Sequence, residues 1–167
     1  RRIIQMGEQP SNVFVFGKPG LDSLHRLKLF NQKKLEHQLQ LKFKERIFLI
    51  TFHPVTLEND TSDQQMAELF AALETLKDTN LIFTMPNADT HGRVIFDMIK
   101  QFVEGKPNAR AYTSLGQLNY LSCVKHVDGV VGNSSSGLIE APSLGKGTVN
   151  IGDRQLGRLR AEGVIDC

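Results

Sequence analysis

The sequence predicts a doubly wound α/β domain on a parallel sheet, and three observations carry that expectation. Short apolar runs recur as continuous stretches rather than in alternation, as in strands covered on both faces. Between them lie segments whose apolar residues repeat every 3.6 positions. The two kinds take turns along the chain, and strand–helix–strand order forces right-handed crossovers within one sheet.

Val13-Phe14-Val15-Phe16, closed by Gly17, is the first strand candidate. The stretch Leu27–Arg46 is more polar, mixing Lys33, Lys34, Lys42, Lys44 and Arg46 with Glu36 and Glu45, and reads as a solvated helix and loop. A phosphate-binding role for its lysines is the alternative. Ile47-Phe48-Leu49-Ile50-Thr51-Phe52 is the second strand. Met66, Leu69, Phe70, Leu73 and Leu76 then form a helical stripe, with Thr61 and Gln64 ahead of it at capping-box spacing. Leu81-Ile82-Phe83-Thr84 is the third strand. Val94, Ile95, Met98, Ile99, Phe102 and Val103 form a second stripe, ended by Gly105-Lys106-Pro107. Ala109–Tyr112 is a weaker strand candidate. Ser114 and Gln117 repeat the capping-box spacing before Leu118, Leu121 and Val124. Gly129-Val130-Val131 follows, then a short helix after Asn133 that ends at Gly145, then the strand Thr148-Val149-Asn150-Ile151.

Composition narrows the function classes. The 167 residues suit one globular domain, and 40% hydrophobic residues with a net charge of +2 argue against disorder. Twenty Lys+Arg against 18 Asp+Glu lack the basic excess of a nucleic-acid binder. No apolar run approaches the ~20 residues a bilayer requires. Cys123 and Cys167 are too few for a disulfide framework and fit a reducing, cytoplasmic setting. The chain opens at Arg1 in what reads as a helix and stops abruptly at Cys167, so it is expected to be a piece of a longer protein.

In an open parallel sheet the binding crevice lies beyond the carboxyl ends of the strands. Polar loops follow the apolar runs there: Thr51-Phe52-His53-Pro54, Met85-Pro86-Asn87-Ala88-Asp89, Gly132-Asn133-Ser134-Ser135-Ser136-Gly137 and Gly152-Asp153-Arg154. The serine run puts small residues and unpaired first-turn N–H groups at a helix start, a setting that suits an anion. Glu140, further along, could accept from ribose hydroxyls. The competing reading is that Asn133 and Ser134 simply cap the helix. His53 is either a structural histidine at a strand end or a phosphate or proton-transfer group. Arg154 suits a diphosphate bidentately, or forms a surface ion pair with Glu140 or Asp153. Gly145-Lys146-Gly147-Thr148 is no P-loop, no GxGxxG opens a helix, and no Cys/His spacing suits zinc. Neither a metal nor a cofactor is expected. Two glycosylation triplets, at Asn59 and Asn133, arise easily by chance.

The run Gly-Asn-Ser-Ser-Ser-Gly-Leu-Ile-Glu-Ala-Pro-Ser-Leu-Gly from Gly132 to Gly145, then Thr148–Gln155 and Gly157-Arg158, closely resembles the UDP-N-acetylglucosamine 2-epimerases. It is most similar to their hydrolysing branch, which makes N-acetylmannosamine for sialic acid, and hence polysaccharide, biosynthesis. Gly7-Glu8-Gln9-Pro10, Phe52-His53-Pro54-Val55-Thr56, Pro86-Asn87-Ala88-Asp89 and His126-Val127-Asp128-Gly129 match as well, so the resemblance covers essentially the whole chain. Lys146-Gly147 departs from the Thr-Pro of many relatives, just ahead of the rim.

The resemblance implies the C-terminal half of a two-domain, glycosyltransferase-B-type enzyme. Residues 1–12 would end the N-terminal domain and its hinge helix, and residues 13–167 would form the truncated, Rossmann-like UDP-binding domain. Ser134 and Ser135 would bind the diphosphate and Glu140 the ribose. Arg154 and His53 would line the diphosphate and sugar side, with Asn87 nearby and uracil held by backbone around Arg110–Ser114. His53 is the one catalytic candidate, because the main carboxylates would lie in the N-terminal half. The implied reaction eliminates UDP across C1 and C2 and adds water to the resulting glycal. By itself this half is expected to bind UDP weakly without turnover. The implied partners are a UDP-sugar and further copies of the full-length enzyme, with neither nucleic acid nor membrane. Alternatives are the non-hydrolysing epimerase, a UDP-diacetylbacillosamine 2-epimerase, a glycosyltransferase donor domain, or a non-enzymatic nucleotide-binding module.

Overall fold

A computed structural model describes residues 2–55, 61–86 and 90–167. Its helices, in chain order, are α1 (Arg2–Gln5), α2 (Asp22–Arg26), α3 (Gln32–Leu39), α4 (Ser62–Glu74), α5 (Thr90–Val103), α6 (Gly116–His126), α7 (Ser135–Leu138) and α8 (Glu140–Ser143). The strands are β1 (Arg46–Thr51), β2 (Thr79–Thr84), β3 (Ala109–Tyr112), β4 (Gly129–Gly132), β5 (Gly147–Asn150) and β6 (Val164–Asp166). All pair in parallel, in the order β3-β2-β1-β4-β5-β6. The chain builds outward from β1 to β3, then returns to lay β4 on the other side of β1. This is the doubly wound fold that continuous apolar runs predict.

Side chains leave each strand on alternate faces, so one strand feeds two cores. Ile47 and Leu49 of β1 join Leu35 and Leu39 of α3 and Val124 of α6 on one face. Ile50 of β1 joins Met66 and Leu73 of α4 and Ile95 and Ile99 of α5 on the other. On that second face Phe102 stacks on Phe70 at 4.1 Å and meets Phe83 edge-on at 5.5 Å. Rings so placed gain beyond simple area burial.

Several expectations give way. Val13–Phe16 forms no strand: Phe14, Val15 and Phe16 are 69%, 94% and 85% exposed, with Phe14 stacked on Phe16. Hydropathy records that the run is apolar but names no partner strand, and none pairs with it among the described residues. The outer place beside β5 goes instead to β6, whose three residues are too few to show a period. Leu27–Arg46 is more than a solvated connection. Asn31 caps α3 by accepting from Lys34 N–H at 2.9 Å, and Leu35, Leu39, Leu41 and Phe43 are buried. Thr61 stands at the start of α4 but makes no side-chain cap bond. Ser114 lies one residue outside the N-cap of α6 and accepts from Gly116 N–H at 3.2 Å. The helix expected after Asn133 and ending at Gly145 is two single turns, α7 and α8, broken at Ile139 (φ −121°, ψ −67°).

Candidate functional site

The winding reverses between β1 and β4, and a crevice at such a reversal opens beyond the carboxyl ends of the strands. β1 and β4 are in register there, Thr51 opposite Gly132, and Thr84 ends β2 on the other side. The Thr51 and Thr84 hydroxyls lie 2.6 Å apart and tie the two strand ends together. The chain then leaves β1 through Phe52-His53 and β4 through Asn133-Ser134.

Glycine is required at 132. Its φ is +130°, and a Cβ there would stand 2.0 Å from the Thr51 carbonyl oxygen. That close approach lets Asn133, 1% exposed, fold against the neighbouring loop. Its Oδ1 accepts from His53 N–H at 2.7 Å, and its Nδ2 donates to the His53 carbonyl at 2.7 Å. Its own carbonyl accepts from Arg154 Nη1 at 2.9 Å and Gln155 Nε2 at 2.7 Å. The buried side-chain amide thus joins the loops after β1 and β4, and the backbone carbonyl of the same residue ties in the loop after β5. Asn133 is therefore a clamp and no helix cap. Burial at this depth also excludes it as a glycosylation acceptor in the folded chain.

Ser134 is the cap: it is extended (φ −78°, ψ 143°) and its Oγ accepts from Ser136 N–H at 3.4 Å. The capping reading of the serine run is therefore met by Ser134, and the bond is long enough to be weak. Because α7 is one turn, the argument for an anion rests on its first N–H groups and adjacent hydroxyls rather than on a long helix dipole.

Beyond the strand ends lies a cavity of about 400 Å³. It is lined by Thr51, His53, Thr84, Thr113 to Gln117, Tyr120, Ser134 and Ser136. Tyr120 Oη, Ser136 Oγ and the nearby Glu140 Oε2 are buried and accept or donate no hydrogen bond. Buried polar atoms are normally paired, so atoms left open beside a cavity mark a place for ligand or water. Burial raises the Tyr120 pKa. The Ser136 and Thr51 hydroxyls beside it oppose that rise, and the Glu140 carboxylate adds to it.

Glu140 opens α8, and its Oε1 accepts an ion pair from Lys18 Nζ at 2.8 Å. Arg154 therefore does not take Glu140 as partner. It anchors behind the serine run on the Asn133 carbonyl, where burial and then Arg158 lower its pKa, although a guanidinium stays charged at any ordinary pH.

Of the residues singled out from sequence, His53 and Ser134 line the cavity. Ser135 begins α7 beside it, Glu140 lies one turn on, and Arg154 braces the same loop. Asn87 lies outside the described residues. Thr51 and Ser136 belong to the polar rim loops and Thr84 ends its strand, without a separate role legible for any of them, and nothing in the sequence marks Tyr120 or Lys18. Tyr120 of α6 packs against the core and also lines the cavity, a double placement that helical period does not record. Among the described residues no three His, Cys, Asp or Glu side chains converge as a metal site, and no helix is long and apolar enough to cross a membrane.

Comparison with known proteins adds to this geometry. The family model described as UDP-N-acetylglucosamine 2-epimerase matches residues 1–167. The "GDP/UDP-N,N'-diacetylbacillosamine 2-epimerase (hydrolyzing)" of Campylobacter jejuni is 36% identical over 99% of this chain and 44% of its own length. The "Polysialic acid biosynthesis protein P7" of Escherichia coli is 41% identical over 99% of this chain and 42% of its own. The chain thus spans less than half the length of these curated relatives. The solved UDP-GlcNAc 2-epimerase of Methanocaldococcus jannaschii superposes with a TM-score of 0.71 at 17% identity, covering 99% of this chain and 47% of that one. That likeness speaks to the fold.

Proposed function

The chain belongs to the UDP-N-acetylglucosamine 2-epimerase family, and from that premise we propose that it is the UDP-binding half of a hydrolysing UDP-sugar 2-epimerase. In this reading residues 1–12 end the N-terminal domain and residues 13–167 form the nucleotide-binding one. The carrying observation is the cavity at the sheet's winding reversal, lined by Tyr120 and Ser136, whose Oη and Oγ are buried without partners, as is the Oε2 of Glu140, whose charge is felt at Tyr120.

Uracil would lie along the Thr113–Gln117 loop, and the ribose hydroxyls would donate to Glu140. The diphosphate would meet the Ser134 and Ser135 hydroxyls and the first N–H groups of α7, with the Arg154 charge behind them. His53 and Asn87 would face the sugar. As the bond from C1 to the diphosphate breaks, charge collects on the departing phosphate oxygens. Fixed donors and a guanidinium aimed there lower the barrier by stabilising that charge more than the bound substrate. The C2 proton leaves as UDP departs, giving a glycal, and water then adds across the double bond to release the free 2-epimeric sugar. The proton-handling carboxylates are expected from the other half of the enzyme, so this chain alone should bind without turnover.

The leading substrate is UDP-N-acetylglucosamine, giving N-acetylmannosamine. UDP-diacetylbacillosamine is the second reading, favoured by the 36% identical C. jejuni relative whose name carries that activity and the word "hydrolyzing". Incubating the full-length enzyme with each UDP-sugar and identifying the released sugar decides between them. Free 2-epimeric sugar plus UDP is the expected outcome, whereas a UDP-linked epimer contradicts the hydrolysing assignment. Calorimetry tests the binding half of the reading: Ser134→Ala should weaken UDP about tenfold, the loss of one or two charge-assisted hydrogen bonds. An unchanged affinity would remove Ser134 from the site.

A further inference from the structure

Lys18 precedes Glu140 by 122 residues, yet its Nζ lies 2.8 Å from Glu140 Oε1. The chain is turned to bring it there. Gly17 sits at φ +74°, and the Lys18 carbonyl accepts from Leu21 N–H at 2.9 Å as the 3₁₀ turn Pro19–Leu21 begins. The Lys18 side chain is 40% exposed, and a pair with one solvated member adds little to folding. Stability therefore gives a poor account of the contact.

The carboxylate end gives a better one. The Glu140 side chain is 20% exposed, one oxygen is held by Lys18, and the other is buried with no donor. A buried acceptor without a partner is costly until a donor arrives. Tyr120 Oη and Ser136 Oγ, also unpartnered, lie on the cavity side, and the Glu140 charge is felt at Tyr120. Two hydroxyl groups that donate or accept, and one oxygen that only accepts, complement a pair of neighbouring hydroxyls on a ligand.

We infer that Lys18 is a positioning residue for nucleoside recognition. By engaging Oε1 it holds Glu140 Oε2 toward the cavity, where Oε2, Tyr120 Oη and Ser136 Oγ together receive the vicinal hydroxyls of a ribonucleotide. The inference rests on the uridine-nucleotide reading of this site. Lys18 acts through Glu140: without it the carboxylate regains the rotamers that a fixed geometry must exclude. If Lys18 served only as a positive charge near the diphosphate, it would favour every nucleotide diphosphate equally, whatever its sugar.

The test is calorimetric titration of the protein, Lys18→Met and Lys18→Arg with UDP and with 2′,3′-dideoxy-UDP, which lacks both hydroxyls. The unaltered protein is expected to prefer UDP by about tenfold or more. In Lys18→Met the UDP affinity falls toward that of the analogue, whose own affinity stays within about twofold, and Lys18→Arg restores most of the preference. Unchanged preference in Lys18→Met, or equal loss for both ligands, overturns the positioning role. Equal binding of both ligands by the unaltered protein overturns the hydroxyl cradle and leaves the nucleotide reading in place. Binding of neither ligand removes that reading and this inference with it. Lys18 is exposed, so the thermal midpoints of its variants should match the parent and keep folding out of the comparison.

Discussion

Asn133 shows how much of the site depends on one residue. Its amide closes both backbone groups of His53, and its carbonyl holds Arg154 and Gln155. Replacing it with Ala removes both bonds to the His53 backbone in a part-buried setting, at a cost of about 2–4 kcal/mol. Asn133→Ala should therefore lower Tm by about 5–15 °C, and Asn133→Asp, which keeps the acceptor and loses the donor, should fall between. A midpoint within a degree of the parent would show that the clamp is not needed. The sequence pointed to this loop through its small polar residues after an apolar run, and to Ser134 as cap or ligand group. It could not show that Asn133 turns back onto His53, because that bond joins residues 80 positions apart. Glu140 was legible as a carboxylate beside the rim; its pairing with Lys18 was not, for the same reason.

At the scale of elements, long buried strands and amphipathic helices were legible because each carries its own period. β1, β2, α4 and α5 needed no knowledge of their neighbours. β6 and the break at Ile139 did, since three residues or one altered turn leave no repeat to read. Val13–Phe16 failed in the opposite sense: the pattern is present, and among the described residues no strand pairs with it. Helix α6 carries a consequence that can be measured. Burial pushes the Cys123 thiol up from about 9 to about 12, so the folded chain holds this proton after the unfolded chain has released it. Stability from the neutral thiol is therefore fully present below pH 9 and is lost as pH rises from 9 toward 12, by at most about 1.4 kcal/mol per pH unit. Tyr112, raised to about 12 chiefly by burial, adds a solvent-weakened loss in the same direction above pH 10. Urea unfolding at pH 8 and pH 10.5 should show a smaller alkaline loss for Cys123→Ala than for the parent. Equal losses would contradict the assignment.

For the molecule as a whole, the sheet order and the winding reversal between β1 and β4 decide where polar loops can meet. The segment carrying Lys18 reaches Glu140 from before the first strand, so an ion pair joins distant parts of the chain close to that rim. The fold class was legible throughout, because alternation of element types is a property of the entire sequence. The cavity itself was legible only as a rim, since Tyr120 of α6 joins its lining through tertiary packing that a sequence period does not record. The most direct test is a crystal structure of the protein with UDP. The account predicts the diphosphate at Ser134 and Ser135, a ribose hydroxyl on Glu140 Oε2, and the base along Thr113–Gln117. Density for UDP at any other place on the molecule would contradict it.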